Sequence, residues 1–118
     1  MLTFNLKKEW FDKIKSGEKT HEYREMSTYW NKRFINLFKK SGAIVALNSL
    51  KLSLINRHSI ELYPDFEVCF TCGYPSRQEK DKFLYGRLVC LTTCVNGKST
   101  DLAIDKDVYD IEFELLED

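Results

Sequence analysis

Leu2, Phe4 and Leu6 alternate with Thr3 and Asn5, the period-two signature of a short half-buried strand. Between Lys7 and Lys15 the period lengthens, so that Trp10, Phe11 and Ile14 share one helical face, and Gly17 stands where a left-handed residue closes a helix. Ser27 or Thr28 is placed to cap a second helix, in which Trp30, Phe34, Leu37 and Phe38 recur at i, i+4, i+7 and i+8 until Gly42. Residues 43–63 fit two patterns. Leu50, Leu52 and Leu54 alternate as in a strand, with Ile60 and Leu62 as partners across an Asn56-Arg57-His58 turn, whereas Ile44, Leu47, Leu50 and Leu54 fit a helical stripe. Strand or irregular structure is the expectation. Beyond Pro64, alternation at Phe66, Val68 and Phe70 predicts a strand that stops at Gly73-Tyr74-Pro75, and Ser76 to Lys82 is a charged loop. Leu84 to Val95 forms a further strand-rich run, Asn96-Gly97 signals a hairpin turn, and Tyr109, Ile111, Phe113 and Leu115 alternate in a last strand. Strands around two short helices, without regular βαβ alternation, predict a single α+β domain built on a small barrel.

One stretch breaks the alternation. Ser16 to Glu25 reads as a strand, yet Glu18, Thr20, Glu22 and Arg24 would share one face and Lys19, His21, Tyr23 and Glu25 the other. Polar chemistry on both faces suits either a charged edge strand, which resists edge-to-edge pairing, or the wall of a polar cleft.

Composition narrows the class. A chain of 118 residues, 43% hydrophobic and 14% aromatic, buries enough apolar surface for one core and is not disordered. Net charge is zero but uneven: residues 1–60 hold 12 Lys/Arg against 5 Asp/Glu, and residues 61–118 hold 6 against 13. The basic half suits an anionic partner, and attraction between the halves explains the same asymmetry. Ile44 to Ile55 is too short and too interrupted by polar residues to span a membrane, so a cytoplasmic setting with four reduced cysteines is expected, without membrane contact. Cys69-x2-Cys72 and Cys90-x3-Cys94 approach a four-thiolate zinc spacing, but the second pair is one residue long for a knuckle. Both pairs fall in alternating strands, where Cys acts as a small hydrophobe, so neither a metal nor another cofactor is expected.

Gly17-Glu18-Lys19, Glu22-Tyr23-Arg24-Glu25, Tyr29-Trp30 and Arg33 form an ordered set that resembles ASCH domains, PUA-like small β-barrels, and in particular their compact single-domain members in phages and bacteria. Leu6 to Phe11, Phe70 to Pro75 and Val108 to Leu115 look like later landmarks of that family, while residues 43–64 look like an insertion. The resemblance implies a cleft between helices and barrel, and a role in handling RNA or nucleotides. Some bacterial ASCH proteins hydrolyse N4-acetylcytidine with a motif similar to Gly-x-Lys-Thr-x-Thr-x-Arg. Lys19, Thr20 and Arg24 align with that motif, and Glu22 stands where its second Thr falls.

The side chains themselves suggest three roles. Lys19 is either a charged partner for phosphate or, if deprotonated, the catalytic amine of a hydrolase; a regular strand would put it opposite Glu22 and Arg24, so convergence requires a bulge or a strand that starts after it. Arg24 suits phosphate or a base edge, and Glu22 suits an exocyclic amine. Tyr29 and Tyr74 offer stacking faces, with Arg33 for phosphate, whereas Trp30 belongs to an apolar stripe. The expected function is therefore binding of RNA or a nucleotide-like ligand by Lys19, Glu22, Arg24, Tyr29, Arg33 and Tyr74. An amidohydrolase acting on an acylated nucleoside is the alternative, and a protein-interaction module whose charged halves mediate assembly is the third reading.

Overall fold

The computed structural model describes residues 1–100 and 102–116. Its strands are β1 (Leu2–Leu6), β2 (His21–Glu25), β3 (Glu61–Leu62), β4 (Glu67–Cys72), β5 (Phe83–Cys94) and β6 (Val108–Leu115). Three α-helices accompany them: α1 (Lys8–Lys15), α2 (Thr28–Ser41) and α3 (Ile44–Asn56). The strands form one mixed sheet in the order β1-β4-β5-β6-β2, curled into a half-barrel, with β3 paired to β5. β1 and β4 run parallel and the other pairs are antiparallel. This is a small α+β barrel-like fold, as the alternating strands and the lack of βαβ rhythm predict. The register of β5 against β6 shifts between Leu88 and Cys90, an irregularity of the kind that bends a strand and helps a sheet curl.

The concave side holds the core. Phe4, Phe70 and Phe113 line up across the sheet, with ring centroids 5.7 Å apart for Phe4 and Phe70 and 4.4 Å for Phe70 and Phe113. α2 stacks Trp30 on Phe4 at 5.2 Å and buries Phe34 and Phe38 fully, with Phe34 against the ring of Tyr109 at 4.5 Å and Phe38 against that of Phe66 at 5.5 Å. The caps of α2 are the ones its sequence calls for: the Ser27 hydroxyl accepts from the Trp30 N–H, and Gly42 ends the helix at φ +72°.

Two expectations require correction. Residues 44–56 are helical, not strand or irregular, so the barrel carries three helices instead of two. Leu47, Leu50 and Ser53 form the buried face of α3, while Leu52, which strand alternation would group with Leu50, points to solvent. Leu and Ala in this run are good helix formers, and the turn at Arg57 is the left-handed C-cap of α3, not a hairpin corner. Ser53 fastens the helix to β5 by donating to the His58 carbonyl at 2.6 Å and sharing a hydrogen bond with the Thr93 hydroxyl at 3.0 Å. Ile60 and Leu62 consequently lie against β5; the Ile60 carbonyl accepts from the Thr93 N–H.

The second correction concerns Asn96-Gly97. β5 and β6 do form an antiparallel pair, but Cys94 stands opposite Val108, so residues 95–107 join them in place of a two-residue turn. Asn96 adopts φ +68° with ψ 109° and its side chain accepts from the Lys98 N–H, starting a short 3-10 turn. Its left-handed backbone serves a loop that folds back, with the Gly97 N–H bonded to the Lys106 carbonyl at 2.6 Å.

Candidate functional site

β2 begins at His21, after Lys19, and this late start decides the site. Lys19 lies in the turn behind α1, where its N–H bonds to the Lys13 carbonyl, and therefore does not follow strand alternation. Its side chain comes round to the same cleft as Glu22 and Arg24. The cleft has a volume of about 250 Å³; Asn5, Leu6, Lys7, Trp10, Tyr23 and Leu102 complete its lining. Because β1 and β2 are the two end strands of the curled sheet, the cleft occupies the gap between its edges. β2 is thus both an edge and a cleft wall.

Arg24 bridges that gap. Its guanidinium lies 5.2 Å from the ring centre of Phe4 on β1 and 5.5 Å from that of Trp30 on α2. It also donates to the Tyr23 carbonyl at 3.2 Å and reaches Glu22 Oε1 at 3.5 Å. Glu22 is only 6% exposed, since its position opposite Ile111 of β6 turns it towards the interior. Oε1 accepts from the Tyr23 N–H at 3.0 Å, whereas Oε2 is buried without a hydrogen-bond partner among the described residues. A carboxylate oxygen taken out of water in this way gains from any donor that enters beside it.

The Lys19 ammonium sits between two aromatic faces, 5.3 Å from the centre of Trp10 and 5.1 Å from that of Tyr23. Such cation–π contacts are worth about 0.5–1 kcal/mol each at exposed sites. Trp10, Lys19 and Tyr23 also border a neighbouring cavity of about 380 Å³, which Lys13, Glu18, Thr20 and His21 complete. His21 Nδ1 lies 2.7 Å from Asp110 Oδ1, so the histidine is tied to β6.

The remaining predicted residues lie elsewhere. Arg33 donates to the Tyr29 hydroxyl at 2.8 Å and stacks on Trp30 at 5.4 Å, on the surface of α2. Trp30 therefore stands between Arg24 and Arg33, and Arg33 itself lines a separate cavity with Met1, Leu2, Asn36, Leu37 and Lys40. Tyr74 is 90% exposed and is not among the residues that line the cleft. Asn5, Lys7 and Trp10 were not singled out as site residues by the sequence. Asn5 lies in β1 and Lys7 between β1 and α1, and both are exposed. Trp10 is half-buried at the border of the apolar stripe of α1, and its proximity to Lys19 depends on the Gly17 turn, at φ +83°.

The cysteines are dispersed. Cys72 is in register with Leu6, Cys69 with Tyr85, Cys90 with Glu112 and Cys94 with Val108. Burial pushes the Cys69 thiol up, and burial followed by the charge of Asp110 does the same for Cys94, away from the thiolate that binds zinc. Among the described residues no three His, Cys, Asp or Glu side chains are grouped to hold a metal ion, and no helix is long and apolar enough to cross a membrane.

No family model, curated protein or solved structure matches the chain, so the geometry of the cleft stands as the guide to function.

Proposed function

We propose that this protein is an ASCH-like domain that binds RNA or a nucleotide-like ligand in the cleft between β1 and β2, in a cytoplasmic setting. The observation that carries this reading is the convergence of Lys19, Glu22 and Arg24 on one cleft, with a buried Glu22 oxygen that no donor among the described residues reaches. The volume suits a single base more than a larger cofactor. A base entering the cleft beside Lys19 would offer an exocyclic amine to Glu22, while Lys7, Lys19 and Arg24 supply positive charge for its phosphate.

Titration with cytidine 5′-monophosphate and with short single-stranded RNA at low salt tests the proposal. Lys19→Ala is expected to weaken both at least tenfold while the circular dichroism spectrum is unchanged. Undetectable binding of either ligand, or equal affinity of the variant, would refute it. Release of acetate from N4-acetylcytidine, abolished in Lys19→Ala, would replace binding by the hydrolase reading.

Protein interaction is the other reading that an observation favours. α3 exposes Val45, Leu52 and Ile55, and in an antiparallel pair of copies Val45 would face Ile55. Light scattering that gives a monomer mass across a hundredfold range of concentration would retire self-association.

A further inference from the structure

A second groove, of about 630 Å³, lies outside the cleft and is lined by Arg77, Lys80, Phe83 and Tyr85. Phe83 and Tyr85 flank Leu84 on β5, and Leu84 packs on the core, so the two rings stand on the opposite, convex face of the sheet. Arg77 and Lys80 come from the loop between β4 and β5. That loop is organised: the Glu79 N–H bonds to the Ser76 carbonyl at 3.1 Å, and the Glu79 carboxylate takes the ammonium of Lys82 at 2.6 Å. With Glu79 occupied by Lys82, and Asp65 and Glu67 by Arg87, neither Arg77 nor Lys80 forms an ion pair with a described carboxylate. Two aromatic faces on one strand, beside two cations on an ordered loop, provide base stacking and phosphate contact together.

The groove and the cleft share one end of the sheet. Asn5, which lines the cleft, is in register with Thr71 of β4, and Thr71 with Phe83 of β5. The Thr71 hydroxyl donates to Asn5 Oδ1 at 2.6 Å, forming a polar bridge between the two sites. Two strand spacings separate Asn5 from Phe83, about 10 Å, a distance that a few linked nucleotides cover. We infer that the groove of Arg77, Lys80, Phe83 and Tyr85 is a second subsite for single-stranded RNA, reached from the cleft across Asn5 and Thr71. The inference rests on the nucleotide-binding reading of the cleft and extends it from one nucleotide to a strand.

Fluorescence anisotropy with labelled oligocytidylates of two to eight nucleotides, alongside calorimetry with cytidine 5′-monophosphate, separates the two sites. The wild-type protein is expected to bind the hexamer at least tenfold more tightly than the dimer. Arg77→Ala/Lys80→Ala and, separately, Tyr85→Ala alter surface side chains and are expected to remove most of that gain, leaving the monophosphate affinity unchanged. Hexamer affinity equal to that of the dimer, or a length-dependent gain that survives in both variants, would overturn the second subsite. Hexamer binding that is lost in the groove variants and unchanged in Lys19→Ala would uphold the groove and retire the cleft reading.

Discussion

At the scale of single residues, Glu22 and Arg24 form the most constrained pair in the cleft, and the constraint is unequal. Glu22 is buried, while the Arg24 side chain retains contact with water. Arg24→Ala would leave a buried carboxylate without its cation, at a cost of about 3 kcal/mol, near the lower end for a buried pair because the arginine is partly solvated. Adding Glu22→Gln should restore much of that loss, and chemical denaturation of the two variants measures both effects. Equal stability of the single and double variants would show that the burial of Glu22 is immaterial. Asp107 offers a second test. The hydrogen bond from Arg57 foremost, joined by the Asn96 N–H, holds its carboxyl below the usual range against a smaller opposing effect of burial. A lowered carboxyl stabilises the fold above the unfolded value of about 3.9, and that contribution disappears as pH falls through the folded value. Thermal unfolding of Arg57→Ala should therefore fall less steeply than that of the wild type below about pH 4. These pairings join residues distant in the chain or dissimilar in burial, so only the residue types were legible in the sequence.

At the scale of elements, α3 is the part the sequence left ambiguous. Its residues are apolar on almost every side, which removes the contrast from which a helical period is read. Tertiary packing supplied the contrast by burying Leu47, Leu50 and Ser53 and leaving Val45, Leu52 and Ile55 in water. Leu50→Ala is expected to cost about 3 kcal/mol and Leu52→Ala well under 1 kcal/mol, a difference that a strand with both leucines on one face would not show. Gly86 makes a similar point for β5: a Cβ there would meet the Glu114 carbonyl of β6 at 2.6 Å. Gly86→Ala should thus destabilise the β5–β6 pair, and faster amide exchange in β6 would report it. By contrast, α2 was legible throughout, because Ser27, the aromatic stripe and Gly42 are local signals that agree with one another.

At the scale of the whole molecule, the charge asymmetry is only partly spent within the fold. Arg57 pairs with Asp107 across the two halves, and Lys106 with Glu25 in the reverse sense. Lys32, Lys39 and Lys40 of α2 form no ion pair with a described residue, so positive charge remains uncompensated on that helix, where Lys40 borders a cavity with Met1 and Leu2. Affinity for single-stranded RNA should accordingly fall linearly with the logarithm of salt concentration, by about 0.7 for each phosphate neutralised. A flat salt response would speak against phosphate contact at either site. What the sequence determined by itself was local: the strand at Leu2–Leu6, the two capped helices, the last strand, and the polar character of residues 16–25 all follow from side-chain period and backbone preference. What tertiary structure decided was non-local. The sheet had to curl before its end strands β1 and β2 could face each other, the Gly17 turn had to bring Lys19 round, and the register had to set Asn5, Thr71 and Phe83 side by side. Periodicity records which face of an element is apolar but not which other element meets it, and the cleft exists only in that meeting.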